Sequence, residues 1–138
     1  MVGKLVLETT FLVDLERESH RGGDGPAHRF LESRAEDRLC ITVTTAGELA
    51  AGVSEAERSG WERLIAGLEV LEIDLDVCWE YGRAFQYLKA NGLLIGTNDL
   101  WIGAGALARS LPLVTRNVRH FQRVPGLSVI GYAGEHPG

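Results

Sequence analysis

A chain of 138 residues with 45% hydrophobic and 24% charged content is long enough for one well-filled core and too short for two domains. Fourteen lysines and arginines, only two of them lysines, stand against nineteen aspartates and glutamates, for a formal charge of −5. No overall field therefore draws the protein to nucleic acid, and such a partner would need a local basic patch or bound cations. Cys40 and Cys78 lie far apart inside apolar segments, and His20, His28, His120 and His136 show no ligand spacing, which argues against a zinc site and reads the cysteines as free thiols.

Residues 4–7 form a short apolar run that ends at Glu8, after which Phe11, Leu12 and Leu15 recur at helical spacing among charged residues. This predicts a strand and then a helix, with Glu8 at the junction. Residues 19–26 hold three glycines and a proline and read as a loop, followed by a helix over 27–37 with Phe30 and Leu31 inward. The β-branched, apolar residues 39–43 predict a buried strand, and Thr44-Thr45 followed by Glu48 opens a helix through about Gly52. A further helix spans 55–68, with Trp61, Leu64, Ile65 and Leu68 on one face, before a short strand at 70–73. Residues 76–90 are helical with Val77, Tyr81, Phe85 and Leu88 inward, and Asn91-Gly92 closes the helix through a left-handed cap.

The polar cluster Thr97-Asn98-Asp99 heads a run of small and apolar residues to Ala108, which predicts a tightly buried helix with Asp99 in its first turn. Residues 103–108 formally match the G-x-G-x-x-[GA] dinucleotide fingerprint. The glycines fall inside the helix, however, and no acidic residue lies between Asp99 and Glu135 to take a ribose, so the small residues instead let the helix approach a sheet. Strands follow at 111–115 and 127–130. The expected organisation is a single domain over 1–130 with a frayed tail at 131–138. Alternating strands and helices imply an α/β/α sandwich around a central, mostly parallel sheet of four to five strands. With no uncharged run long enough to cross a bilayer and no charged, apolar leader, the expected location is the cytoplasm, away from membrane.

Functional groups on open α/β sheets gather beyond the carboxyl ends of the strands. Glu8 and Glu48 each follow a predicted strand, Asn117 ends another, and Asp99 opens a helix, so all four are placed to share one edge. Three carboxylates and a carboxamide with no lysine nearby repel one another unless protonated or neutralised by a hard cation, for which Mg²⁺ or Mn²⁺ is the natural occupant. Each residue also has a purely structural reading. Thr45-Ala46-Gly47-Glu48 matches a capping box, Asp99 suits a helix dipole, Asn117 could cap a turn, and Glu8 could be an exposed strand end. Spacing alone does not choose between them.

The segments 5–15 (through Glu8-Thr9-Thr10 to Asp14), 41–49 (through Thr44-Thr45 to Glu48), 98–104 (Asn98-Asp99-Leu100-Trp101) and 113–121 (Thr115-Arg116-Asn117 to His120-Phe121) together carry a resemblance. In order, spacing and total length the chain resembles the PIN-domain nucleases, and within them the VapC toxins of bacterial and archaeal toxin–antitoxin pairs. The resemblance implies a metal-dependent endoribonuclease that is a homodimer and is restrained by a small cognate antitoxin. By that pattern Glu8, Glu48 and Asp99 take the acidic metal positions and Asn117 the fourth. Two departures stand out: the first position is usually aspartate, and Asn117 replaces an aspartate in many relatives, which removes one negative charge and favours a single ion.

On this reading Asp99 and Glu8 ligate directly, while Glu48 binds through water or orients the attacking water. Thr115 and Asn117 hydrogen-bond a water or a phosphate oxygen. Arg116 contacts the RNA backbone or is simply a solvated arginine. Asp14, paired with Arg17 or solvated, falls outside the site, as do His120 and Phe121, the latter read as core. Trp61, Trp79, Tyr81 and Phe85 are core or dimer interface before they are base-stacking platforms. The competing readings are a catalytically weakened PIN-fold regulatory or RNA-binding module, and a phosphoacceptor receiver domain. The receiver reading needs a lysine near a late strand, and the chain has none after Asn91.

Overall fold

The computed structural model describes residues 3–132. Strands β1 (Lys4–Leu7), β2 (Arg38–Thr42), β3 (Glu69–Leu71), β4 (Leu113–Val114) and β5 (Val129–Ile130) form one sheet in the order β3-β2-β1-β4-β5, with every pairing parallel. The helices are α1 (Thr9–His20), α2 (Pro26–Ser33), α3 (Val43–Ala51), α4 (Arg58–Ala66), α5 (Leu75–Ala90), α6 (Thr97–Ala108) and the single turn α7 (Val118–Phe121). The α/β/α sandwich expected from the sequence is therefore present, with five strands.

Both faces of the sheet are covered, as parallel sheets require. On one face Leu5, Leu7, Ile41 and Val114 pack with Phe11, Leu12 and Ala27 from α1 and α2. On the other, Val6, Cys40 and Leu113 meet Ile102 and Ala106 of α6 and Phe121 of α7. The alternation of Leu5, Val6 and Leu7 between these two cores is the two-residue period of a strand buried on both sides. Helix α5 lies one layer further out and packs on α6 through Ala84, Leu88 and Leu100, a cluster that Val124, beyond α7, completes.

The small residues of α6 serve close approach, as expected. A Cβ on Gly105 would come within 2.9 Å of the Thr42 methyl at the end of β2. Gly92, at φ 66°, turns the chain out of α5 at the expected cap.

Several boundaries differ from the sequence reading for identifiable reasons. Helix α3 starts at Val43, because the Thr42 hydroxyl accepts from Thr45 N at 3.2 Å. Thr45 is thus inside the helix, and the capping box expected at Thr45 to Glu48 does not form. The helix expected over 55–68 is divided into a 3₁₀ turn (Glu55–Glu57) and α4, where Glu57 Oε1 accepts from both the Ser54 backbone (3.0 Å) and the Ser54 hydroxyl (2.9 Å). Helix α2 ends at Ser33 instead of reaching Asp37, whose carboxylate accepts from Gly3 N at 3.1 Å. Phe85, expected inward, is exposed, because the buried line of α5 runs through Val77, Ala84 and Leu88; Leu64 of α4, also expected inward, is exposed as well.

The α1–α2 joint is tied by Glu18. Its carboxylate accepts from Ala27 N (3.0 Å) and His28 N (2.9 Å) and lies 2.8 Å from His28 Nδ1. Burial pushes this carboxyl up, but the backbone and histidine contacts outweigh it and hold the group below its ordinary value.

The end of the chain also differs from expectation. Tyr132, read with the frayed tail, is buried edge-on against Phe11 at 4.7 Å between ring centres. The rest of that expected tail, 133–138, lies outside the described residues.

Candidate active site

The chain runs outward from β1 to β2 and β3, then returns to place β4 and β5 on the other side of β1. The direction of winding thus reverses between β1 and β4, the place in an open α/β sheet where a crevice forms beyond the carboxyl ends of the strands. Glu8 follows β1 there, in extended conformation, and caps α1 by accepting from Thr10 N at 3.1 Å. Its other oxygen accepts from the hydroxyls of Thr10 and Thr115, each at 2.5 Å. Those hydroxyls in turn accept from the backbone after β4: Thr10 Oγ1 from Arg116 N (3.1 Å) and Thr115 Oγ1 from Asn117 N (3.0 Å).

Glu8 is therefore not an exposed strand end. It is 3% exposed and met by three donors, the condition under which a carboxylate tolerates burial. The longer glutamate chain reaches Thr115 while still capping α1. Thr115 is fully buried, with its hydroxyl turned to Glu8.

Glu48 sits mid-way along α3, half-buried, and accepts from the Thr9 hydroxyl at 2.6 Å; Thr9 Oγ1 also lies 3.1 Å from Thr45 Oγ1. Two adjacent threonines at the start of α1 thus engage two carboxylates, Thr9 that of Glu48 and Thr10 that of Glu8. Asp99, in the first turn of α6, has its Oδ2 2.8 Å from His120 Nε2. Asp99 and His120 line an open hollow with Arg116, Asn117, Val118 and Arg119.

Asp99 and Asn117 therefore share one hollow, which Glu8 does not line; Glu8 is buried and tied to Asn117 N through the Thr115 hydroxyl. Glu48 is linked to Glu8 through the Thr9-Thr10 pair. Among the described residues, no three acidic, histidine or cysteine side chains converge closely enough, as placed, to hold a metal ion. In kind the donors do fit a hard divalent cation: all are oxygens, and each of the three carboxylates has an oxygen with one hydrogen bond or none from its protein neighbours.

Two partnerships escaped the sequence reading. Asp14 does not pair with Arg17: its Oδ1 lies 2.7 Å from Arg116 Nη1, and its Oδ2 accepts from the Tyr132 hydroxyl. Burial and the adjacent Asp14 carboxylate push the Tyr132 phenol well above its ordinary value, so it stays a donor. The helical period held the first of these signals, since Thr10 and Asp14 lie one turn apart and face the same way. His120 is the second. It stands three residues after Asn117, a spacing that returns a side chain to the same side of a helical turn.

These features define a PIN-type fold with an open polar hollow at its switch point, and the chain belongs to the PIN domain family, which matches residues 5–127. It is 34% identical over 108 residues to Ribonuclease VapC1 of Haemophilus influenzae strain R2866, covering 73% of this chain and 79% of the relative. It is 33% identical over 97 residues to the tRNA(fMet)-specific endonuclease VapC of Salmonella typhimurium, covering 67% and 74%. In structure it is similar to a chain of the DNA-bound VapBC crystal structure from Salmonella typhimurium, with a TM-score of 0.82, 28% identity and coverage of 96% and 100%. The resemblance to PIN-domain VapC proteins read from the sequence is borne out. No described helix is long and apolar enough to cross a membrane.

Proposed function

We propose that the protein is a Mg²⁺- or Mn²⁺-dependent endoribonuclease of the VapC kind, a cytoplasmic toxin restrained by a cognate antitoxin. The observation that supports this reading is the junction of β1 and β4, where Asp99, Asn117 and His120 line one hollow and the buried Glu8 is tied to the backbone of Asn117 through Thr115. Asp99 and Glu8 would hold the ion directly and Glu48 through water. A bound ion would supply charge neutralisation for the carboxylates and polarisation of a phosphodiester oxygen.

The chain's own residues do the rest. Glu48 orients the attacking water and accepts its proton, and His120 fixes the orientation of the Asp99 carboxylate. Asn117 meets a phosphate oxygen at the open side. Thr10 and Thr115 hold Glu8 in place.

Two apolar regions, a groove and an outward helix face, suit the partners. Leu12 and Leu15 of α1, Leu49 and Val53 at α3, and Trp61 and Leu64 of α4 line one groove, which suits an apolar segment of the antitoxin. The outward Leu75, Trp79 and Tyr87 of α5 suit the second copy of a homodimer.

The satisfied hydrogen bonds of Glu8 favour one competing reading, a regulatory or RNA-binding module whose site no longer takes an ion. Calorimetry separates the two. The nuclease reading expects the purified protein to bind Mg²⁺ or Mn²⁺ with measurable heat. An absence of cation binding, together with retained binding of RNA or antitoxin, would establish the module instead.

A further inference from the structure

We propose that Arg119, and not Arg116, is the side chain that receives an RNA phosphate at this hollow. The inference rests on the ribonuclease reading above and assigns a residue that reading leaves without a role.

Two arginines line the hollow, and their surroundings differ. The Arg116 guanidinium lies 2.7 Å from Asp14, whose side chain is only 17% exposed and is held on its other oxygen by Tyr132. That pairing neutralises Arg116 and directs it toward α1. The carboxylate of the hollow itself, Asp99, is matched with His120 at 2.8 Å. Arg123, one turn beyond Arg119, donates to the Leu94 carbonyl at 3.5 Å.

Arg119 differs from all of these. It is exposed, it stands between Asn117 and His120 on the rim, and among the described residues it forms no ion pair. In a chain of net charge −5, an unmatched guanidinium on the rim of this hollow is the local positive charge that a phosphodiester requires. Its planar fork of donors also suits two phosphate oxygens at once.

The test is equilibrium binding of a short fluorescein-labelled single-stranded RNA, followed by anisotropy from about 50 to 200 mM KCl. Ca²⁺ serves as the probe cation, so that binding is read without turnover. Arg119→Ala is expected to weaken binding about fivefold and to flatten the plot of log K against log salt by about 0.7, the share of one phosphate contact on a single strand. Arg119→Lys is expected to restore the slope, since it keeps the charge, and both variants should melt with the wild type because the side chain is exposed. An Arg119→Ala protein with wild-type affinity and slope would overturn the assignment of Arg119 alone. A wild-type protein that binds no RNA at any salt concentration would overturn the ribonuclease reading itself.

Discussion

Asp99→Asn is expected to lower RNA cleavage by more than about 100-fold, beyond the 10–100-fold typical of removing a group that only supports a metal ligand. The substitution keeps the size and shape of the side chain at the first turn of α6 and removes only its charge. If Asp99 merely complemented the helix dipole, the loss would be roughly 0.3–1 kcal/mol of stability, seen as a small drop in melting temperature with cleavage intact. Rates on an RNA substrate, measured beside thermal melts, separate the two roles. The partly exposed position of Asp99 at the open hollow, opposite His120, is the observation that favours the chemical role.

The largest effect on stability is expected from Phe11→Ala, at about 3–5 kcal/mol. Phe11 is fully buried and meets Phe30 edge-on at 5.8 Å and Tyr132 at 4.7 Å. A domain of this size has about 5–15 kcal/mol in all, so the variant should sit near the edge of folding. The damage should reach the pocket as well, because α1 also carries Thr9, Thr10 and Asp14. Urea unfolding followed by circular dichroism measures the change. A loss below about 1 kcal/mol would mean that the aromatic cluster closes over the space left by the ring.

The elements of the fold were legible in the sequence because the two buried faces leave strong periodic marks. The apolar runs at β1 and β2 and the small-residue helix α6 each announce themselves within about ten residues. The proposed site was expected as positions: Glu8 and Asn117 do lie just beyond strands and Asp99 at a helix start, whereas Glu48 lies mid-way along α3. Their hydrogen-bond partners were not, because those contacts join distant segments. Asp14 meets Arg116 across 102 residues and Tyr132 across 118, and no local pattern encodes either. The capping residue of α3 was misread for the opposite reason, since Thr42, Thr44 and Thr45 are chemically equivalent and only the end of β2 decides among them. Helix α5 was partly misread because its outward face, with Leu75, Trp79 and Tyr87, is apolar too, which blurs the period that marks the inward one.

The central claim is that the pocket beyond β1 and β4 cuts RNA with the help of a divalent cation. Its most direct test is the cleavage of a structured RNA by the purified protein, freed of any antitoxin, with Mg²⁺ or Mn²⁺ and then with excess EDTA. The account predicts cutting in the presence of either ion, loss of cutting in EDTA and recovery when the ion is returned. Undiminished cleavage in excess EDTA would contradict it.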